Sequence, residues 1–169
     1  MFSRTVIFLC DYSPDGAMGL VVNRGLEISV GEVMKQLEID AEETVFDASV
    51  LWGGPVEPAA GLVICRQQEG QVAEGTLARV EGSDLLVSAS RLTLEAIAAE
   101  RWSGPYHLCL GYAGWSPGQL DREIDEGSWL ITELDEKILF DVPMEDRWQV
   151  CVESLGVGQS MMWIPPIEA

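Results

Sequence analysis

The chain has 169 residues, of which 47% are hydrophobic and 22% are charged, so a single domain can bury a core of its own. Its 28 Asp and Glu residues outnumber 10 Lys and Arg residues, and the formal net charge of −18 at pH 7 disfavours direct binding to DNA phosphates. We expect this charge to keep the protein soluble rather than to serve a dedicated basic partner.

Two observations bear on the cellular location. No apolar stretch approaches the roughly 18 residues of a membrane-spanning helix, because Cys10 and Asp11 directly follow the short apolar run at residues 6–9. The start of the chain also lacks the basic, apolar and small-residue regions of a signal peptide. The sequence therefore predicts a cytoplasmic protein without a membrane span.

The cysteines lie 40 or more residues apart and form no C-x-x-C pair of the kind that binds zinc or carries out redox chemistry. They are Cys10, Cys65, Cys109 and Cys151, each in an apolar neighbourhood. We expect buried free thiols, and the sequence predicts no metal and no cofactor.

The first half of the chain predicts strands and one short helix. Apolar runs at residues 4–10 and 18–22, separated by a turn at 13–16, indicate a hairpin. Ser29 and Glu32 fit a capping box at the start of a helix over residues 30–38. Further strands are predicted over residues 50–52, 62–65, 77–80 and 85–87, with a polar loop at 67–75.

Helices become more frequent in the second half. Ser90 is predicted to cap a helix that ends before Gly104, and residues 106–112 alternate like a strand. A third helix is predicted with Pro117 in its first turn and Gly127 at its end. A hairpin is predicted from residues 129–132 and 138–140, around Asp135 and Glu136. The last predicted helix has an apolar stripe from Trp148 to Leu155 and Gly156 just beyond its end. Runs of strands with single helices between them indicate one α+β domain over residues 1–169, with a flexible tail at 158–169.

The sequence contains no phosphate-binding glycine loop and no G-x-S-x-G elbow, which mark large enzyme classes. The single histidine, His107, shares a strand face with Cys109, so the two are a candidate base and nucleophile. Their Cα atoms are expected about 6.5 Å apart, so a reactive pair would need favourable side-chain rotamers and a third group that orients the histidine. The alternative is a half-buried strand histidine without a catalytic role.

Carboxylates concentrate in the predicted third helix, at Asp121, Glu123, Asp125 and Glu126. A metal site is one interpretation, but hard cations also recruit loop carbonyls around one point. We favour a solvated helix face on which Arg122 and Glu126 form a compensating pair.

Two glycine-rich segments, 51–56 and 110–120, are predicted to be loops that lie side by side and form the main surface cleft. Their small residues allow close approach, while aromatic walls and uncharged amides suit a binding site. The alternatives are that the glycines only relieve backbone strain and that Trp115 packs into the core. The candidate binding residues are Asn23, Gly53, Gly54, Pro55, Gly111, Tyr112, Gly114, Trp115 and Gln119.

Several motifs together resemble the bacterial YqgE/AlgH family in order and spacing across nearly the whole chain. They are Arg4-Thr5-Val6-Ile7, the segment 16–23, Gly53-Gly54-Pro55-Val56, Gly111-Tyr112-Ala113-Gly114-Trp115, Pro117-Gly118-Gln119-Leu120 and Trp148. The resemblance implies an α+β fold, in which a mixed bifurcated sheet curls into a pseudo-barrel flanked by about four helices. It implies no known reaction, and one member of the family is described as a regulator of alginate production.

The chain departs from the family at its start. Family members usually carry a further strand before the Arg-Thr-Val-Ile motif, whereas this chain begins at Met1. We expect either a start codon that was assigned late or a missing N-terminal strand, which would leave a sheet edge unpaired. His107 and Cys109 do not belong to the family motif.

Two functions are open from the sequence. The lack of catalytic motifs and the regulatory description in the family favour a non-enzymatic module that binds an unknown protein partner and regulates transcription indirectly, without contacting nucleic acid or membrane. The alternative is an enzyme or small-molecule binder that uses the cleft between the two glycine-rich segments.

Overall fold

The computed structural model describes residues 1–67, 75–102 and 104–156. Most of the predicted polar loop at 67–75 and the whole predicted tail at 158–169 lie outside the described residues. Within these ranges, no helix is long and apolar enough to cross a membrane.

The chain opens with an antiparallel hairpin of strands β1 (Ile7–Ser13) and β2 (Gly16–Val21), in which Ser13 pairs with Gly16 across the turn. The register shifts between Leu9 and Asp11, and Cys10 at the shift is buried. The predicted hairpin around residues 13–16 is therefore confirmed.

Strand β3 (Gly25–Ser29) leads directly into helix α1 (Val30–Gln36). The Glu32 backbone N–H donates to the Ser29 hydroxyl at 3.2 Å, and the Ser29 backbone N–H donates to the Glu32 carboxylate at 2.7 Å. These two bonds are the reciprocal pair of the predicted capping box, which fixes the start of the helix.

The middle of the chain forms four strands and a helix. They are β4 (Ser49–Trp52), β5 (Val56–Arg66), β6 (Thr76–Arg79), β7 (Leu85–Ser88) and α2 (Arg91–Ala98). Each corresponds to a predicted element, but β5 is longer than predicted because its pairing resumes at Val56 beyond an irregularity. Ser90 caps α2 by accepting the Leu92 backbone N–H.

Strand β8 (Tyr106–Trp115) is the central strand of the sheet and pairs with three other strands. One edge pairs antiparallel with β5, while the other pairs first parallel with β4, at Cys109 and Leu110, and then antiparallel with β2. The sheet thus divides at β8 into the branches β4–β3 and β2–β1. Its other side continues through β7 to β6 and curls back towards β1, which confirms the mixed, bifurcated pseudo-barrel of an α+β fold.

Both faces of the central strands are buried. In β5, Leu62 and Ile64 belong to the core inside the curled sheet, whereas Val63 and Cys65 pack with residues of α1 and α2 on the other face. Alternate residues of one strand therefore enter different cores. This double burial explains why the central strands are continuous apolar runs in the sequence.

Three helices follow β8: α3 (Gln119–Asp125), α4 (Glu136–Phe140) and α5 (Arg147–Ser154). The described residues therefore hold five α-helices, where about four were predicted. Gly127 and Gly156 follow α3 and α5 with positive φ angles of 78° and 70°, as predicted for helix ends. Pro117 lies outside the first turn of α3, because Gly118 is its N-cap residue.

The hairpin predicted from residues 129–132 and 138–140 is wrong, because residues 138–140 lie in α4 and residues 129–132 form no strand. Asp135 is not a hairpin turn residue but the N-cap, and its carboxylate accepts the Lys137 backbone N–H at 2.9 Å. Leu139 turns inward and is buried against the core inside the sheet. The side-chain cap and this burial favour the helix.

Candidate functional site

The two glycine-rich segments meet where the sheet divides. The Gly53 backbone N–H donates to the Leu110 carbonyl of β8 at 2.9 Å, and the Gly53 carbonyl accepts from Val21 of β2 at 2.8 Å. Gly53 thus links the two strands at the point where β8 exchanges its partner β4 for β2. We call the contact between residues 53–54 and 111–112 the glycine crossing.

At the glycine crossing, two backbones touch. A Cβ atom on Gly53 would lie 2.2 Å from the Gly111 carbonyl oxygen, and one on Gly54 would lie 2.2 Å from the Tyr112 carbonyl carbon. Gly111 also has a φ of +74°, which side chains rarely adopt. The predicted proximity of the two segments is confirmed, and their glycines allow the chains to cross.

Backbone atoms fill the space between the two segments at the glycine crossing, and this close contact counts against the predicted cleft. Gly111, Tyr112, Gly114 and Trp115 are also not loop residues, since they lie within β8. The candidate binding residues do not line the two cavities of about 560 and 330 Å³ in the described part of the chain, although Leu51 of the first glycine-rich segment lines the smaller one. A binding role for the predicted residues, including the exposed Pro55, stays a prediction.

Asn23 fastens the N-terminal segment to the sheet. Its side-chain oxygen accepts the Val6 backbone N–H at 2.7 Å, and its side-chain nitrogen donates to the Arg4 carbonyl at 2.8 Å. Both ends of the amide are therefore engaged within the protein, which gives Asn23 a structural role.

Trp115 and Gln119 meet at one carboxylate. The indole N–H of Trp115, which is 8% exposed, donates to Glu123 at 2.9 Å, and the amide of Gln119 donates to the same carboxylate at 2.8 Å. The indole of Trp129 is a third donor at 2.8 Å. The hydrogen bonds from Trp129 and Gln119, followed by that from Trp115, lower the pKa of Glu123. Trp115 thus packs inward, as the alternative interpretation had it.

The acidic cluster of α3 is only partly a solvated face. Glu123 is half-buried and holds the three donors just described, and Asp121 accepts the phenol of Tyr12. The predicted side-chain pair of Arg122 and Glu126 is not formed: the described residues contain ion pairs at Arg66–Glu136 and Arg91–Glu95. Among those same residues, no three acidic, histidine or cysteine side chains converge in an arrangement that could hold a metal ion.

His107 and Cys109 face the same core but do not form a reactive pair. Cys109 is 0% exposed, and burial raises the pKa of its thiol, so the nucleophilic thiolate is disfavoured. Burial also lowers the pKa of His107 to about 4, against a hydrogen bond to Leu139 that raises it and the nearby Arg147, which lowers it further. The interpretation as a half-buried strand histidine fits this geometry.

The hydrogen bond of His107 defines its tautomer. Its Nε2 atom lies 2.6 Å from the Leu139 carbonyl oxygen and 3.4 Å from Nη2 of Arg147. A carbonyl needs a donor, so Nε2 carries the hydrogen and cannot also accept one from Arg147. The imidazole is neutral and stacks on Phe140, with 5.4 Å between the ring centres.

Arg147 is the buried cation of this region, with 4% of its surface exposed. Its Nε donates to the Val142 carbonyl at 3.1 Å, and its Nη1 donates to the Val22 carbonyl, so it ties α5 to the end of β2. Burial lowers the pKa of the guanidinium, while the neighbouring Cys109 and Glu145 raise it. Arg147 also lines the cavity of about 330 Å³, which we call the Arg147 cavity; its other lining residues are Ala48, Ser49, Leu51, Tyr106, His107, Met144 and Glu145.

The sequence interpretation missed Arg147. It follows two acidic residues, Glu145 and Asp146, and such a run indicates an exposed helix start. The available signal was the proximity of an arginine to the apolar stripe of the last helix, which alone does not distinguish burial from exposure.

A second unusual surface lies between α3 and α4, in the segment of residues 128–135. Leu130, Ile131 and Leu134 are 60%, 67% and 45% exposed, and the segment forms neither helix nor strand up to the cap of α4. Its surroundings are acidic. The exposed carboxylates nearest in the sequence are Asp125, Glu126, Glu133 and Asp135.

Comparisons of the sequence with a family model and with known proteins agree with one another. The AlgH-like family model matches residues 1–160. A UPF0301 protein of Pseudoalteromonas translucida is 37% identical over 163 residues, which cover 95% of this chain and 86% of the relative. A UPF0301 protein of Shewanella sp. strain ANA-3 is 42% identical over 159 residues, with 92% and 83% covered.

Solved structures give the same result. The solution structure of the AlgH protein from Pseudomonas aeruginosa is similar with a TM-score of 0.77 and 35% identity, over 98% of this chain and 86% of that one. The crystal structure of protein DIP2367 from Corynebacterium diphtheriae, at 21% identity and a TM-score of 0.66 over 89% and 77%, shares the fold. The matched residues, the relatives and the fold agree, and the chain belongs to the AlgH-like family.

Proposed function

We propose that this protein is a non-enzymatic binding module that contacts another protein and influences transcription indirectly through that partner. The observation that carries the proposal is the exposure of three large apolar residues within the short 128–135 segment, Leu130, Ile131 and Leu134. Single exposed apolar residues are ordinary on protein surfaces, but adjacent ones rimmed by polar groups are typical of interaction sites.

The acidic surroundings define the kind of partner. A matching surface would offer apolar side chains for Leu130 and Ile131, and Lys or Arg side chains for carboxylates such as Glu133 and Asp135. The net charge of −18 adds long-range repulsion from nucleic acid. These features favour a basic protein over DNA as the immediate target.

Two further observations favour binding over catalysis. The buried thiol of Cys109 is withdrawn from solvent, and His107 is neutral with its Nε2 hydrogen held by a backbone carbonyl. The other function predicted from the sequence, an enzyme or small-molecule binder with a site between the glycine-rich segments, stays a prediction. The close backbone contact at the glycine crossing counts against it.

The proposal is tested by capture and then by quantitative binding. The immobilised protein is used to isolate partners from cells of its source, and the dissociation constant of each purified candidate is then measured. A triple variant, Leu130→Ser, Ile131→Ser and Leu134→Ser, is expected to bind at least tenfold more weakly, with further weakening at higher salt.

The matched control exchanges exposed leucines elsewhere, Leu77→Ser and Leu92→Ser, and should bind like the wild type. Equal affinity of the triple variant and the control would contradict a role for the 128–135 segment. Duplex DNA is titrated in parallel at several salt concentrations, where tight and salt-sensitive binding would overturn indirect action.

A further inference from the structure

We propose that the Arg147 cavity binds a small monocarboxylate, with the carboxylate held by the guanidinium of Arg147. Ion pairs in the described residues involve other arginines, so the buried Arg147 has no carboxylate partner within 4 Å there. A buried charge is costly unless it is paired, and a guanidinium is matched by a planar, two-oxygen anion.

The hydrogen bonds of Arg147 leave donors unused. Two of its nitrogens bond to the backbone carbonyls of Val22 and Val142. The third, Nη2, faces Nε2 of His107, which itself donates to Leu139 and cannot accept. Within the described residues, Nη2 therefore has hydrogens without an acceptor, and because Arg147 lines the cavity, a ligand oxygen there would supply one.

The other walls define the rest of the ligand. Ser49 and Tyr106 can add hydrogen bonds, while Leu51 and Met144 provide an apolar surface. The volume of about 330 Å³ lies at the lower end for ligand pockets and suits a molecule with a few carbon atoms. A carboxylate with a short apolar chain meets each of these conditions.

The charges around the Arg147 cavity favour a ligand with a single negative charge. Glu145 also lines the cavity and is exposed, and its carboxylate opposes an incoming anion. The net charge of −18 disfavours multiply charged anions such as phosphate esters at longer range. One buried cation opposite one carboxylate thus suits a monoanion.

The test uses isovalerate as the probe and isovaleramide, its neutral isostere, as the matched control. Both are titrated at constant ionic strength into the isotopically labelled protein, and the Nε–H resonance of Arg147 and the backbone amides of Ser49 and Tyr106 are followed by NMR. Isovalerate is expected to shift these resonances saturably at millimolar concentrations, and isovaleramide is expected to leave them in place.

A surface variant keeps the test independent of folding. Glu145→Gln removes the opposing carboxylate without touching Arg147, and it is expected to bind isovalerate three- to tenfold more tightly. Identical shifts with acid and amide, no shift up to 50 mM, or unchanged affinity in Glu145→Gln would each overturn the proposal. The variant leaves the 128–135 segment intact, so the outcome is independent of the proposed protein binding.

Discussion

The carbonyl oxygen of Gly111 lies where a side chain on Gly53 would begin, 2.2 Å from the position of its Cβ atom. The same Gly53 bonds to both β8 and β2 through its backbone. The separation of the sheet into two branches therefore depends on the absence of a side chain at this residue.

Gly53→Ala is expected to destabilise the protein by about 3 kcal/mol, because the rigid backbone of β8 must move to admit a methyl group. Urea denaturation followed by tryptophan fluorescence measures the change. Gly61→Ala is the control in the same sheet, since its nearest contacts would be ordinary at 3.8 and 4.0 Å, and it should be neutral or slightly stabilising. Equal losses in both variants would contradict this role of the glycine crossing.

Glu123→Gln is expected to lower the stability at pH 7 by about 1 to 2 kcal/mol, because an ionised acceptor of three hydrogen bonds is replaced by a neutral one. The pKa of Glu123 is lowered in the folded protein, so its contribution to stability is present above the ordinary pKa of 4.5 and is lost as the pH falls through the pKa of the folded state. Thermal denaturation from pH 7 to pH 3 should show the wild type and variant converging in acid. Glu126→Gln, at an exposed position of the same helix, should remain within about 0.5 kcal/mol of the wild type throughout.

The imidazole of His107 is expected to titrate with a pKa near 4, well below its ordinary value of 6.5. His107 is the single histidine of the chain, so its NMR signals can be assigned without ambiguity. Because the unfolded chain binds this proton more readily, stability should fall as the pH decreases from 6.5 towards 4, by about 3 kcal/mol at most. His107→Gln should lose that part of the pH dependence. A titration midpoint near 6.5 for the imidazole of the wild type would show that the ring is not buried in this way.

Thiol reagents are expected to modify the native protein slowly and first at Cys151, the half-buried cysteine. Burial raises the pKa of Cys10 and Cys65 to about 12 and also raises that of Cys109, so few thiolates form at pH 8. Peptide mapping after brief labelling gives the order of reaction, and unfolding in urea should expose all four thiols equally. Rapid native labelling of Cys109 would revive the catalytic interpretation with His107.

Local sequence determined much of the fold. The capping box of Ser29 and Glu32 needs residues only three positions apart, and the turn at residues 13–16 also acts over a few residues. The structural elements that such short-range signals predict are present in the structure. The hairpin around Asp135 failed because the same residue suits a turn and a helix cap, and the distant burial of Leu139 decides between them.

The candidate site was predicted less well than the fold. The sequence indicated that the glycine-rich segments meet, but close packing of Gly53 against Gly111 counts against a cleft there. The sequence predicts Trp115 as an aromatic wall of the cleft and Gln119 as a hydrogen-bonding amide, yet both side chains donate to Glu123 of α3. A pattern of small and aromatic residues does not say whether a ligand or the protein itself occupies the space.

The sequence by itself determined the family, the α+β class and the positions of most strands, because these follow from motifs and from apolar runs along the chain. Only the tertiary structure decided the burial of Arg147, whose nearest acceptors include Val22, 125 residues away. The environment of an ionisable side chain depends on which distant segments surround it, and no local pattern encodes that arrangement.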